Sequence, residues 1–391
     1  MSVTRALVRT VAVTTAAAVA SWGGLTSAQA GGARPQPVAV TVMTQNVYLG
    51  GDITRPITAT RGLQGPAALV ALGHASHELR AVVDRTDFGV RSRLLARGIA
   101  GSKPDLVGLQ EVALWRHGPL QLSPDQLGRP NAEQVDEDFL AILLTDLRRE
   151  GLRYEVASVQ TETDVEAPAF LGSPYDQTIT EGRDVRLTMR DVILVRQHSG
   201  LRVTDRGGAQ YQARIDVDLG GVGLSIVRGY TWVDVRSRQG GLRLVNTHLE
   251  SQSSDVALAQ AEELLSGPAR DRRRTVLVCD CNSDRDTAQP RPGSTVAYNA
   301  AYEAIADAGF ADQWRAAHPV GPGHTATLGE LVNDPTAAGL DRRIDLVFAR
   351  SVAHPTARRP TVVGDEPADR DPVTGLWPAD HAGVSVRLRV R

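Results

Sequence analysis

Lysine is almost missing from this 391-residue chain: Lys103 is the only one, so nearly all of the 43 basic residues are arginine. Aspartate and glutamate outnumber them at 45, for a formal net charge of -2. A globally basic chain would have argued for nucleic acid, whose phosphate backbone draws clustered cations. That argument is absent here, and only a local patch remains, with Arg183, Arg186 and Arg190 as its candidates. Aromatic residues make up only 4% of the chain, and no aromatic-rich loop or apolar hairpin suited to a lipid surface stands out. Cysteine is confined to Cys279 and Cys281, too few for a cysteine-only metal centre. Two residues apart on an extended strand, their Cα atoms would lie roughly 7 Å from each other, at the edge of disulfide geometry. Two buried free thiols are therefore expected. Beyond the N-terminal segment no stretch is apolar for long enough to cross a bilayer.

What is present is ample core material. Hydrophobic residues make up 42% of the chain, enough for one or two domains. Arg5 and Arg9, the weakly apolar residues 11–25 and the small-x-small triplet Ala28-Gln29-Ala30 read as a signal peptide over residues 1–30. No cysteine follows that apolar run, which speaks against a lipid anchor. Without Arg5 and Arg9 the chain keeps 41 basic and 45 acidic residues, about -4. Residues 31–37 form a short extension and residues 38–391 a single domain, and the expected location is extracellular.

The chain is organised around RTVLVCDCNSD, residues 274–284. Thr275, Val276, Leu277 and Val278 form a β-branched apolar run that predicts a buried strand. Side-chain alternation then sets Cys279 and Cys281 on one face and Asp280 and Asn282 on the other. Burying such a polar pair without partners costs several kcal/mol, on the order of 2–7 for each uncompensated group. Other predicted strands end in the same way. The strand over 38–45 is followed by Asn46, the one over 105–109 by Gln110 and Glu111, and the one over 242–247 delivers Asn246 and His248. Arg190 leads into a strand over 192–195, Asp345 lies on one over 343–348, and Asp380 and His381 precede a last strand over 384–390. Helices are predicted over 88–99, 136–150, 256–265 and 298–308 from their apolar spacing. Insertions are placed at 50–76, with one short helix, at 160–184 as a long polar surface loop, and at 353–377. Strands outnumber helices and alternate with them irregularly, which indicates an α+β fold.

Taken in order, QNVYLGGD, PDLVGLQEV, LVNTHLES, VCDCNSD, RRIDLVF and PADHAGV resemble the six blocks of the endonuclease/exonuclease/phosphatase superfamily. That superfamily holds deoxyribonuclease I-like nucleases, abasic-site endonucleases, bacterial sphingomyelinases and inositol polyphosphate 5-phosphatases. GFADQW, residues 309–314, resembles the segment after the Asp-x-Asn block. One departure stands out: Cys279 and Cys281 replace the usual Gly and Phe of that block. The resemblance implies a four-layer α/β/β/α sandwich, two mixed sheets flanked by helices, with a site at one edge. It implies a metal-dependent hydrolase using Mg2+, with Mn2+ and Ca2+ as the other candidates. Glu111, Asn46 and Asp380 would hold the metal. Asp345 would orient His381 as a general base, and Asp280 would position the attacking water, with Asn282 on the phosphate. His248 would stand opposite, either as acid for the leaving oxygen or as a donor in the transition state. Asn246 and Arg190 would contact the phosphate. The substrate would be a phosphodiester in nucleic acid or a phospholipid head group; a phosphomonoesterase and a non-catalytic binding protein are the alternatives. No obligate protein partner is evident, and a monomer is expected.

Overall fold

The computed structural model describes residues 38–122, 129–172, 182–219, 222–238, 240–271, 274–352 and 360–390; the expected signal peptide lies outside them. The chain enters through β1 (Val38–Asn46), followed by α1 (Thr54–Thr60), α2 (Gly65–Arg85), α3 (Phe88–Ser102) and β2 (Leu106–Gln110). Next come β3 (Leu114–Pro119), β4 (Gln134–Asp138), α4 (Phe139–Arg149), β5 (Tyr154–Ala169) and β6 (Arg183–Arg196). The middle of the chain forms β7 (Arg202–Gln210), β8 (Ile215–Asp218), β9 (Gly223–Ile226), β10 (Gly229–Ser237) and β11 (Gly240–His248). Then follow α5 (Ser254–Ser266), β12 (Thr275–Asp280), α6 (Ala300–Asp307), β13 (Ala311–Asp312) and α7 (Gln313–Ala317). The chain closes with β14 (Asp345–Arg350), β15 (Thr361–Val363) and β16 (Gly383–Val390).

Two mixed sheets result. One runs β15-β16-β1-β2-β6-β3-β4 with β5 also on β6; the other runs β13-β14-β12-β11-β10-β7. Period-2 alternation explains how they stack. Val42, Leu106, Ile193 and Val195 of the first sheet meet Val233, Leu244, Val276, Val278 and Val347 of the second in one buried cluster. The opposite faces turn to helices. Met43, Val107, Leu109 and Leu194 pack under Phe88, Leu95, Ile99, Phe139 and Leu143 of α3 and α4. Val245, Leu277, Cys279, Leu346 and Phe348 pack under Ala257, Leu264, Ala301 and Ile305 of α5 and α6. The expected α/β/β/α sandwich is therefore the fold observed. Strands covered on both faces read as continuous apolar runs, as residues 275–278 do. Gly108 in β2 lies close against the second sheet: a Cβ there would lie 2.4 Å from a Val278 methyl and 2.5 Å from Asn246 Oδ1.

Register brings the strand ends together. His248 closes β11 beside Asp280, which closes the parallel β12. β14 runs the other way and starts with Asp345 opposite Asp280. Asn46 and Gln110 pair at the ends of the parallel β1 and β2. β16 is antiparallel to β1, so the segment before Gly383 arrives at the same end.

Three expectations are corrected. Residues 50–76 hold not one short helix but α1 and most of a 21-residue α2. Much of the 160–184 segment is strand, since β5 runs to Ala169 and pairs with β6 from Arg183; residues 173–181 lie outside the described residues. Its polar composition misled because β5 is only intermittently buried, so many of its side chains face water. Third, Cys279 and Cys281 form a disulfide with their Cα atoms 5.0 Å apart. The estimate of roughly 7 Å assumed an extended chain through both residues. β12 stops at Asp280, and the 5.0 Å separation shows that the chain contracts there, where extension was assumed.

Candidate active site

The site grows from those strand ends. Asp280 is fully buried; its Oδ2 accepts Asn46 Nδ2 at 2.9 Å and its Oδ1 accepts the backbone N–H of Asn282 at 3.1 Å. The second bond closes a local turn that holds Asn282 at positive φ, a conformation asparagine tolerates. Asn282 Nδ2 donates to the Leu249 carbonyl at 3.0 Å. Glu111 also stands at positive φ, 58°, the kind of strained backbone that persists only where surroundings fix it. Its Oε2 accepts the Leu49 N–H at 2.9 Å, while Oε1 faces His248 Nε2 at 4.0 Å.

Two histidines flank Asp280 with opposite charge tendencies. His248 Nε2 lies 3.4 Å and His381 Nδ1 3.8 Å from Asp280 Oδ2. His381 Nδ1 makes its closer contact, 2.8 Å, with Asp345 Oδ2. Burial alone would lower the His381 pKa, but Asp345, Asp280 and Asp380 together hold its imidazolium well above the ordinary range. His248 is held well below it, by burial first and then by the charges of Arg228 and His381. Burial pushes the Asp280 carboxyl up, with Asp345 adding and His381 opposing. Asp380 is pushed up to about 7, by burial first and by the nearby Glu111 charge, against His381 and Arg91. Pairs of titratable groups driven apart in this way are a mark of acid–base sites.

The residues fit a hard divalent cation. Carboxylate oxygens of Glu111 and Asp280 lie within 4.8 Å of each other, beside His248. Asp380 Oδ1 is buried with no hydrogen-bond partner, an acceptor with nothing to accept from. Oxygen donors of this kind suit Mg2+ or Ca2+. Asn46 would offer only the second lone pair of Oδ1, since that atom already accepts the Tyr48 N–H at 2.8 Å.

Two sequence expectations are placed elsewhere. Asn246 is on the same face as His248 but two residues deeper, and its amide is used up between the sheets: Nδ2 donates to the Leu109 and Val192 carbonyls and Oδ1 accepts from Gln110 Nε2. Arg190 donates to the Val112 and Ala113 carbonyls and to Asp138 Oδ1, bracing the segment behind Glu111. The Asn246 amide and the Nε and Nη2 donors of Arg190 are thus engaged within the fold.

Other residues escaped the sequence reading. Arg91, fully buried, donates to the carbonyls of Thr86, Val47, Tyr48 and Pro378, tying the segments that carry Asn46 and Asp380. It was counted as one more residue of an amphipathic helix. Behind His248 stand Arg228, Glu162, Asp191 and Glu250, all buried. Asp191 follows Arg190 and Glu250 lies in the LVNTHLES block beside His248, and that adjacency was the available signal. Glu162 was hidden in the segment read as loop. Burial first, and then the Glu162 charge, hold the Asp191 carboxyl well above the carboxylate range.

These features define a class: a two-sheet α+β sandwich with a carboxylate–histidine site assembled at the ends of strands from both sheets. The order of its strand-end blocks resembles that of the endonuclease/exonuclease/phosphatase superfamily. No family model and no curated protein matches it. Truncated TDP2 from Caenorhabditis elegans is similar at 16% identity and a TM-score of 0.46, over 90% of this chain and 98% of that one. An endonuclease/exonuclease/phosphatase from Beutenbergia cavernae DSM 12333 is similar at 20% identity and a TM-score of 0.47, over 90% and 72% of the two chains. A family protein from Bacteroides thetaiotaomicron is similar at 15% identity and a TM-score of 0.48, over 91% and 99%. The site is read from its own geometry.

Proposed function

We propose that this protein is an exported phosphoesterase that hydrolyses a phosphodiester by in-line attack of water, with Mg2+ as its cofactor. One observation carries the reading: Glu111, His248, Asp280 and His381, from four segments far apart in sequence, meet at one end of the sandwich with the two histidines biased to opposite charge states. In-line displacement at phosphorus needs positioning and charge neutralisation more than covalent help, and the site offers both.

The surroundings of each residue support its role. Glu111 and Asp380 would hold the cation, with Asn46 beside them; when bound, it would neutralise charge on the phosphoryl oxygens. Asn46 and the Asn282 N–H fix both oxygens of Asp280, so that carboxylate presents a set direction to an attacking water. Asp345 holds His381 through Nδ1, which turns the other nitrogen of that ring to the substrate. Asn282 borders the same end and orients the phosphate. Export rests on the charged, apolar and small-residue order of residues 1–30. Among the described residues no helix is long and apolar enough to cross a membrane.

The test is hydrolysis of bis-p-nitrophenyl phosphate by residues 31–391, with Mg2+ or with chelator, beside His381→Ala. Turnover that needs the metal and disappears in the variant supports the reading. Turnover that is metal-independent and survives in the variant overturns it. DNA, RNA, sphingomyelin and phosphomonoesters then separate the substrate classes.

A further inference from the structure

We propose that Arg228 is a positioning residue that locks His248 in its neutral tautomer with the proton on Nε2, making His248 a hydrogen-bond donor to a substrate oxygen and not a proton-transferring acid. The donor role rests on the phosphoesterase reading; the tautomer does not.

The geometry leaves one assignment. Arg228 Nη1 lies 2.9 Å from His248 Nδ1, with both side chains buried. A guanidinium carries N–H donors and no acceptor, and it keeps its proton in proteins. Nδ1 must therefore accept, and a neutral ring that accepts at Nδ1 carries its hydrogen on Nε2. Nε2 is the atom that looks into the site, 3.4 Å from Asp280 Oδ2 and 4.0 Å from Glu111 Oε1. An imidazolium would set an N–H on Nδ1 against the N–H of a permanent cation.

Arg228 is held for this purpose by charge and not by competing hydrogen bonds. Its nearest carboxylate oxygens, Glu162 Oε2 and Glu250 Oε2, stand 3.8 and 3.9 Å away, beyond hydrogen-bond distance. Both carboxylates are anchored from behind: Glu162 Oε1 accepts the Gly229 N–H at 2.9 Å and Glu250 Oε1 accepts the Gln252 N–H at 2.7 Å. Strand pairing delivers Arg228 beside His248, because β10 begins at the next residue, Gly229, and pairs with β11 up to Thr247, the residue before His248. The guanidinium thus sits in a balanced acidic surround with the imidazole as its hydrogen-bond partner. Of the two roles open to His248 from sequence, acid or donor, this arrangement selects the donor, and a donor aimed at developing charge acts mainly on kcat.

The experiment is 15N NMR of histidine-labelled, metal-free protein at pH 7, with the His248 signals assigned by their loss in His248→Gln. The expected result is an unprotonated, acceptor-type Nδ1 and a protonated Nε2. A protonated Nδ1, in either the other tautomer or the imidazolium, overturns the proposal whether or not the enzyme turns over. Arg228→Met should release the preference and give a tautomer mixture, lower kcat by about 100-fold or more and leave KM within a few-fold. Arg228→Lys, which keeps the buried cation, should recover part of both the spectrum and kcat. An unchanged Nε2–H tautomer in Arg228→Met would show that Arg228 does not set it. If Arg228→Met does not fold, the wild-type spectrum and the lysine variant still decide. The expected tautomer in a protein that hydrolyses no phosphate ester would sink the proposed function and leave the Arg228 assignment standing.

Discussion

Asp345→Asn probes the site most directly. The wild-type side chain is fully buried, and its Oδ2 lies 2.8 Å from His381 Nδ1. At an effective dielectric near 20, that separation is worth about 6 kcal/mol of attraction between full charges. Desolvation of the carboxylate offsets much of it, and removing one partner of a buried pair typically costs about 3–5 kcal/mol. Asparagine keeps the shape and can still accept from Nδ1–H, and Asp280 remains 3.8 Å from the ring. The expected loss is therefore near the low end, about 3 kcal/mol at pH 6. The pH dependence has a definite sign. His381 titrates higher in the folded protein than in the unfolded chain, so its contribution is fully present below the unfolded value of about 6.5 and is lost as pH rises through the folded value. The stability gap between wild type and Asp345→Asn, read from urea unfolding, should be wide at pH 6 and narrower at pH 9. Turnover of bis-p-nitrophenyl phosphate should fall about 100- to 10,000-fold in kcat, the range for losing acid–base catalysis by an oriented side chain. A gap that widens toward pH 9, or a kcat within three-fold of wild type, would refute the pairing as the source of either effect.

Three further outcomes follow from other parts of the molecule. Arg91→Met leaves the carbonyls of Thr86, Val47, Tyr48 and Pro378 without their donor and should cost about 3–5 kcal/mol in urea unfolding, with a fall in kcat because Asn46 and Asp380 sit on the released segments. Gly108→Ala sets a methyl against Val278 and Asn246 between the sheets and should cost about 1–3 kcal/mol, seen as a lower Tm. The double variant Cys279→Ala/Cys281→Ala removes a link that closes a very short loop, so its entropic part should fall below the 3 kcal/mol or so of a fifteen-residue loop. Its main cost should be lost packing beneath α5 and α6, with kcat preserved because both sulfurs face away from Asp280; a collapse of kcat would show that the disulfide shapes the site.

Much was already legible in one dimension. Residues 275–278 read as a buried strand because sheets packed on both sides admit only apolar side chains there, and β12 is buried at every position. The polar residues that interrupt such runs at their ends, Asn46, Glu111, His248, Asp280, Asp345 and Asp380 with His381, followed from the same reasoning, since buried polar groups need partners. Alternation also told that Asp280 and Cys279 face opposite ways, and they do. What alternation could not tell is depth. Asn246 and His248 share a face, yet a shift of two residues along β11 separates an amide locked between sheets from an imidazole at the rim. Arg190 could not be told from a phosphate ligand until the Val112 and Ala113 carbonyls were seen to meet it. The disulfide depended on where β12 ends, a local contraction that no spacing rule for extended chain anticipates. Arg91, Arg228 and Glu162 owe their roles to partners 43 to 287 residues away in sequence: Val47, Tyr48 and Pro378 for Arg91, Glu162 for Arg228, and Gly229 for Glu162. A charged residue on a helix or in a polar stretch looks solvated in sequence. Only the tertiary fold, by removing water around it and supplying carbonyls, carboxylates or an imidazole instead, decided what it does.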